Sequence, residues 1–66
     1  MVRVWRVPFG YMILIWRSQQ RWVAYKPVRD LRRVYEILAR RGVPKNLTRA
    51  ALVRANPAEA RAHNLD

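Results

Sequence analysis

Residues 2–26 read VRVWRVPFGYMILIWRSQQRWVAYK, and Tyr11-Met12-Ile13-Leu14-Ile15-Trp16-Arg17 at their centre is the only continuous apolar run in the chain. A bilayer crossing needs about 20 apolar residues, so this run is too short for one. Its β-branched and aromatic content favours extended backbone. Pro8-Phe9-Gly10 and Ser18-Gln19-Gln20 bound it with turn-forming residues. Val2–Val7 and Arg21–Lys26 flank it and mix basic with apolar positions, as edge strands do. The pattern predicts a three-stranded antiparallel meander over 2–26. The second connection has no glycine, so a loop of three to five residues is expected there.

Alternation sorts each strand into two faces. Val2, Val4 and Arg6 oppose Arg3, Trp5 and Val7. Tyr11, Ile13, Ile15 and Arg17 oppose Met12, Leu14 and Trp16. Arg21, Val23 and Tyr25 oppose Trp22, Ala24 and Lys26.

Beyond Pro27 the period changes to that of a helix. Leu31, Val34, Tyr35 and Leu38 fall at i, i+3, i+4 and i+7, and Ile37 widens the stripe. Asp30 at the start and Arg40-Arg41 at the end suit the helix dipole, and Gly42 and Pro44 supply a stop. A helix over 28–41 follows. Asn46 is expected to cap a second helix over 47–55, with Leu47, Ala50, Ala51 and either Val53 or Leu52 inward. Asn56, Pro57 and Glu59 have the spacing of a capping box for a short C-terminal turn over 57–63. That turn is alanine-rich, has few anchors and is expected to fray. The reading is one α+β domain over 1–66, three strands followed by two helices.

Fourteen basic residues face four acidic ones, a net charge of +10 on 66 residues. Such a chain favours polyanions or acidic protein surfaces. All the basic residues but Lys26 and Lys45 are arginine, whose planar fork suits phosphate and base edges. A GC-rich genome would also favour arginine over lysine, but it does not account for the net charge. The absence of cysteine removes disulfides and thiolate metal sites. No secretory signal pattern precedes the first strand, so a cytoplasmic protein with no membrane segment is expected. A domain this small buries only about 60% of its unfolded surface, so it gains from a partner or from homo-oligomerisation.

The catalytic inventory is poor. The lone His63, the scattered carboxylates Asp30, Glu36, Glu59 and Asp66, and only two glycines give no acid–base pair, metal cluster or phosphate loop. No enzyme activity, metal or cofactor is expected. The binding inventory is richer, because arginines interleave with tryptophans on the strands. Arg3, Trp5, Arg6, Arg17, Arg21, Trp22 and Lys26 are the candidate contact residues. The competing explanation makes the tryptophans plain core and the arginines a solvated rim. A helix-turn-helix reading of the C-terminal half lacks the three-helix core that such a motif needs.

Residues 2–41 resemble the three-stranded-sheet-plus-helix DNA-binding domains of the ethylene-response-factor type and the arm-binding domains of tyrosine-recombinase integrases. Pro8-Phe9-Gly10 is similar to the family's Pro-Trp-Gly turn. Arg17 falls where the second strand closes with arginine, and Arg21-Trp22-Val23 is similar to the basic-aromatic third strand. Val34-Tyr35-Glu36 looks like the helix's Ala-Tyr-Asp. The resemblance implies a sheet lying in the major groove, with Arg17, Arg21 and Trp22 carried over as contacts. Met12 stands where the family has a DNA-contacting tryptophan, Ile15 where it has glutamate, and the second loop is shorter.

The expectation is therefore a non-catalytic nucleic-acid-binding module that prefers duplex DNA. The alternative is a small phage or mobile-element protein, acting in the host cytoplasm, that blocks or redirects a host enzyme or nucleoprotein complex through its basic surface. A structural subunit of a larger assembly is the third reading.

Overall fold

A computed structural model describes residues 1–24 and 26–66 of the chain. Three strands, β1 (Val2–Val7), β2 (Gly10–Arg17) and β3 (Gln20–Val23), form one antiparallel sheet in the order β1-β2-β3. Three helices follow: α1 (Leu31–Arg40), α2 (Lys45–Ala55) and α3 (Pro57–Ala62). The expected α+β meander-then-helices architecture is the one observed. The last turn is short but regular enough to count as a third helix. Tyr25, grouped by alternation with Arg21 and Val23, lies outside the described residues.

The central strand is the apolar one because it alone has neighbours on both sides. Val4 pairs with Ile13 and Val2 with Ile15 on one side, and Ile15 pairs with Trp22 on the other. Both hairpin loops have two residues, since Val7 pairs with Gly10 and Arg17 with Gln20. The second connection is thus tighter than the absence of glycine suggested. Neither Ser18 nor Gln19 takes a positive φ, so it avoids the primed turns that call for glycine.

One sheet face carries the core. Val4, Tyr11, Ile13, Ile15 and Ala24 pack against Leu31, Val34 and Leu38 of α1, Ala51 and Leu52 of α2, and Ala60 of α3. The helical stripe read from the sequence is the buried one, with Leu31, Val34 and Leu38 fully buried and Tyr35 and Ile37 at its margin.

The bounds of α1 are set by chemistry at both ends. Asp30 is its N-cap and accepts from the Arg33 N–H at 2.9 Å, so the helix starts three residues later than the expected 28. At the other end the Val43 N–H donates to the Leu38 carbonyl and the Gly42 N–H to that of Ala39, with Gly42 at φ +76°. Those two bonds are the Schellman closure, and buried Val43 supplies its apolar contact.

The second helix departs from the reading in start and phase. It begins at Lys45 after Pro44, with no side-chain cap, so Asn46 lies inside it. Thr48, Ala51 and Leu52 face the core, while Leu47 is 36% exposed and Ala50 is exposed. Alanine-rich helices have weak amphipathicity, so their rotation is decided by what they pack on.

The Thr48 hydroxyl is buried without a hydrogen-bond partner among the described residues. An unmade buried bond costs about 1–3 kcal/mol. Thr48→Val is therefore expected to stabilise the fold by about 1 kcal/mol, raising Tm by roughly 4–8 °C in a calorimetric scan. An unchanged or lowered Tm would mean that the hydroxyl is satisfied in solution.

The C-terminal helix is better anchored than its composition implied. Asn56 accepts from the Glu59 N–H at 3.1 Å, as the capping-box spacing predicted. Ala60 is fully buried. Asn64, at φ 56°, closes α3 through Leu65 N–H to Ala60 carbonyl and Asn64 N–H to Arg61 carbonyl bonds.

Candidate nucleic-acid interface

With all three helices on one side, the other sheet face has no covering element among the described residues. The register places Arg3, Trp5 and Val7 of β1, Met12, Leu14 and Trp16 of β2, and Arg21 and Val23 of β3 on it. Trp5 is 36%, Trp16 41% and Val23 48% exposed. Met12 and Leu14 at the centre are half-buried. Arg3 is paired with Leu14, one step along from Trp5 and diagonal to Trp16, and its guanidinium lies 5.8 Å from the Trp5 ring centroid. Arg21 is paired with Trp16. The surface is an apolar strip with an aromatic at either end and an arginine beside each.

No carboxylate reaches this face among the described residues. Asp30 caps α1, Glu36 pairs with Arg33 at 3.3 Å, and Asp66 is the terminal residue, its backbone oxygen accepting from Arg49 at 3.4 Å. Glu59 is engaged on the opposite side: Oε1 accepts from the Tyr11 hydroxyl at 2.5 Å and Oε2 from the Leu31 N–H at 2.9 Å. His63 Nε2 stands 4.0 Å from Glu59 Oε2, one turn along α3.

Of the seven candidate contact residues, Arg3, Trp5 and Arg21 share the open face. Arg6, Arg17 and Trp22 are on the covered one. Arg17 donates to the Arg41 carbonyl at 3.0 Å, at the C-terminal end of α1. Trp22 is half-buried with the Arg41 guanidinium 3.7 Å from its ring centroid. Lys26 is exposed just beyond β3. Of the three residues that the family resemblance carried over, Arg21 alone is on the open face.

Trp16 was absent from the candidate set although alternation put it opposite Ile13 and Ile15. The missing signal was loop length. Two-residue hairpins pair i with i+3, which ties Trp5, Met12 and Trp16 to one face and Trp22 to the other.

No helix among the described residues is long and apolar enough to cross a membrane. No protein-family model, curated protein or solved structure matches this chain.

Proposed function

We propose that the open sheet face binds nucleic acid without catalysis, with duplex DNA as the preferred form. The observation that carries this reading is the uncovered face itself, which presents Trp5 and Trp16 beside Arg3 and Arg21 with no carboxylate, on a chain of net charge +10. Guanidiniums neutralise phosphates or grip guanine edges, and the major groove is wide enough for antiparallel strands. Exposed indoles stack on bases or wedge between them. A sheet backed by helices is also the arrangement of the DNA-binding domains that residues 2–41 resemble.

The test is fluorescence-anisotropy binding to a labelled random-sequence duplex across a salt series, with a single strand of equal length alongside. Micromolar binding with a steep salt slope is expected. Trp16→Ala should weaken it by about 1–3 kcal/mol, roughly five- to 150-fold, at every salt concentration. Arg21→Ala should also reduce the magnitude of the log–log salt slope by about 1. A folded protein that binds neither probe at low salt overturns the reading.

The apolar strip Met12-Leu14-Val23 supports a second reading. Protein interfaces have apolar centres rimmed by Trp and Arg, so the same face would dock on an acidic protein surface, as an inhibitor or as a subunit of an assembly. Retained binding by Trp16→Ala in the DNA assay, with loss of a protein partner on pull-down, favours that reading.

A further inference from the structure

At the sheet edge, away from Trp5 and Trp16, the β2–β3 hairpin and the last turn of α1 border an open groove of about 940 Å³. Arg17, Arg21, Arg40 and Arg41 line it together with Trp22, and no lining residue is a carboxylate. Drawing four guanidiniums to one groove is unfavourable in the absence of an anion, because like charges repel.

Two of the four are held in place. Arg17 is fixed by its 3.0 Å bond to the Arg41 carbonyl, which leaves its remaining N–H groups for another acceptor. The Arg41 guanidinium carbon stands over the Trp22 ring, 3.7 Å from its centroid, so the indole supports that side chain and leaves its N–H groups on the far side available. Donors positioned in this way lose little side-chain freedom when they take a ligand. Arg21 on the hairpin and Arg40 on the helix have no hydrogen-bond or ion-pair partner among the described residues, and they flank the fixed pair.

We infer that this groove is a phosphate-binding site, which holds one or two adjacent phosphate groups on Arg17 and Arg41 and closes over them with Arg21 and Arg40. Arginine forks match phosphate oxygens bidentately, and the outer face of the Arg41 guanidinium offers a platform for a base attached to that phosphate. The site shares only Arg21 with the open-face reading, because that residue stands on edge strand β3 and borders both surfaces, whereas Arg17, Arg40, Arg41 and Trp22 are off the open face. The phosphates come either from a nucleic-acid strand or from a free polyphosphate.

The experiment is a nitrogen-15 NMR titration of the full chain with tripolyphosphate and, separately, with a 5′-phosphorylated thymidine dinucleotide. The three tryptophan indole N–H signals report three places at once. Tripolyphosphate should move the Trp22 signal and leave those of Trp5 and Trp16 in place. Tighter binding of the dinucleotide at Trp22 identifies a nucleic-acid source, and tighter binding of tripolyphosphate a free one.

Arg40→Glu should weaken the site at least about tenfold, the loss expected for a charge-assisted bond. Arg32→Glu makes the same charge change on α1 outside the groove and should cost roughly threefold or less, the effect of net charge alone. Gln20→Glu, on the facing hairpin, paired with Arg17 and off the open face, is the second variant and should weaken the site in the same direction. Equal losses for Arg40→Glu and Arg32→Glu overturn the proposal, and so do shifts confined to Trp5 and Trp16. Either result would mean that phosphate is held by the overall charge.

Discussion

Gly10→Ala is expected to unfold most of the protein at room temperature, or to lower its Tm by at least about 15 °C. Gly10 sits at φ +140°, and a Cβ built there would lie 2.2 Å from the Val28 carbonyl oxygen and 2.9 Å from its carbon. Both are backbone atoms, so no side-chain rotation relieves the overlap. The same oxygen accepts from the Tyr11 N–H at 2.8 Å, while the Val28 N–H donates to the Tyr11 carbonyl at 2.8 Å. This bridge returns the segment after β3 to the sheet and sets where α1 begins. Losing two such bonds and straining the backbone adds up to about 4 kcal/mol. A 66-residue domain has roughly 3–10 kcal/mol of stability in all. Gly42→Ala is the control. Its Cβ would meet only Arg17 Nη2 at 3.7 Å, so it should cost about 1–2 kcal/mol, the left-handed backbone penalty alone. Chemical denaturation of the two variants beside the parent checks the pair. Equal losses would mean that the approach to Val28 relaxes freely.

The contrast between these glycines shows where the sequence was legible. Gly42 followed by Val43-Pro44 is a local stop signal, and its Schellman bonds involve residues no more than five apart. Gly10 was readable as a turn glycine. Its tighter constraint, the contact with Val28, depends on a chain that returns eighteen residues later. The same division runs through the site. Alternation within each strand placed Trp5, Trp16 and Trp22 on their faces, which is a local property. Matching those faces between strands needed the loop lengths, and the second loop reads as longer than it is because no glycine marks it. The candidate contacts therefore include both Trp5 and Trp22, which lie on opposite faces, and not Trp16. The helical stripe of α1 was plain because Leu31, Val34 and Leu38 are large. In α2 the buried set is Thr48, Ala51 and Leu52, and only one of those is large enough to mark a face.

Glu59→Ala is expected to destabilise the fold by about 3 kcal/mol and Glu59→Gln by about 2 kcal/mol, because Glu59 joins three elements through charge-assisted bonds. Its carboxylate accepts from the Tyr11 hydroxyl in β2 and from the Leu31 N–H, the first amide of α1, while its own N–H is held by Asn56. A negative group at that amide also meets the positive end of the α1 dipole. Alanine leaves the phenol proton and the Leu31 N–H without acceptors in a partly buried place. Glutamine still accepts from Leu31, but its amide then faces a phenolic oxygen that already takes the Asn56 Nδ2 donor at 3.0 Å. The Tyr11 proton would have no acceptor. Burial first, and the Glu59 hydrogen bond second, raise the Tyr11 phenol above its ordinary pKa. The folded state therefore binds this proton more tightly than the unfolded one. That contribution is complete below about pH 10 and is lost as pH rises through the elevated value. Removing Glu59 removes part of the elevation, so the stability lost above about pH 10 should be smaller in Glu59→Ala than in the parent and should be complete at lower pH. Urea titrations at neutral pH and at stepped alkaline pH read both effects. A Glu59→Ala protein within about 0.5 kcal/mol of the parent, the range of ordinary surface changes, would show that Ala60 burial alone seats α3.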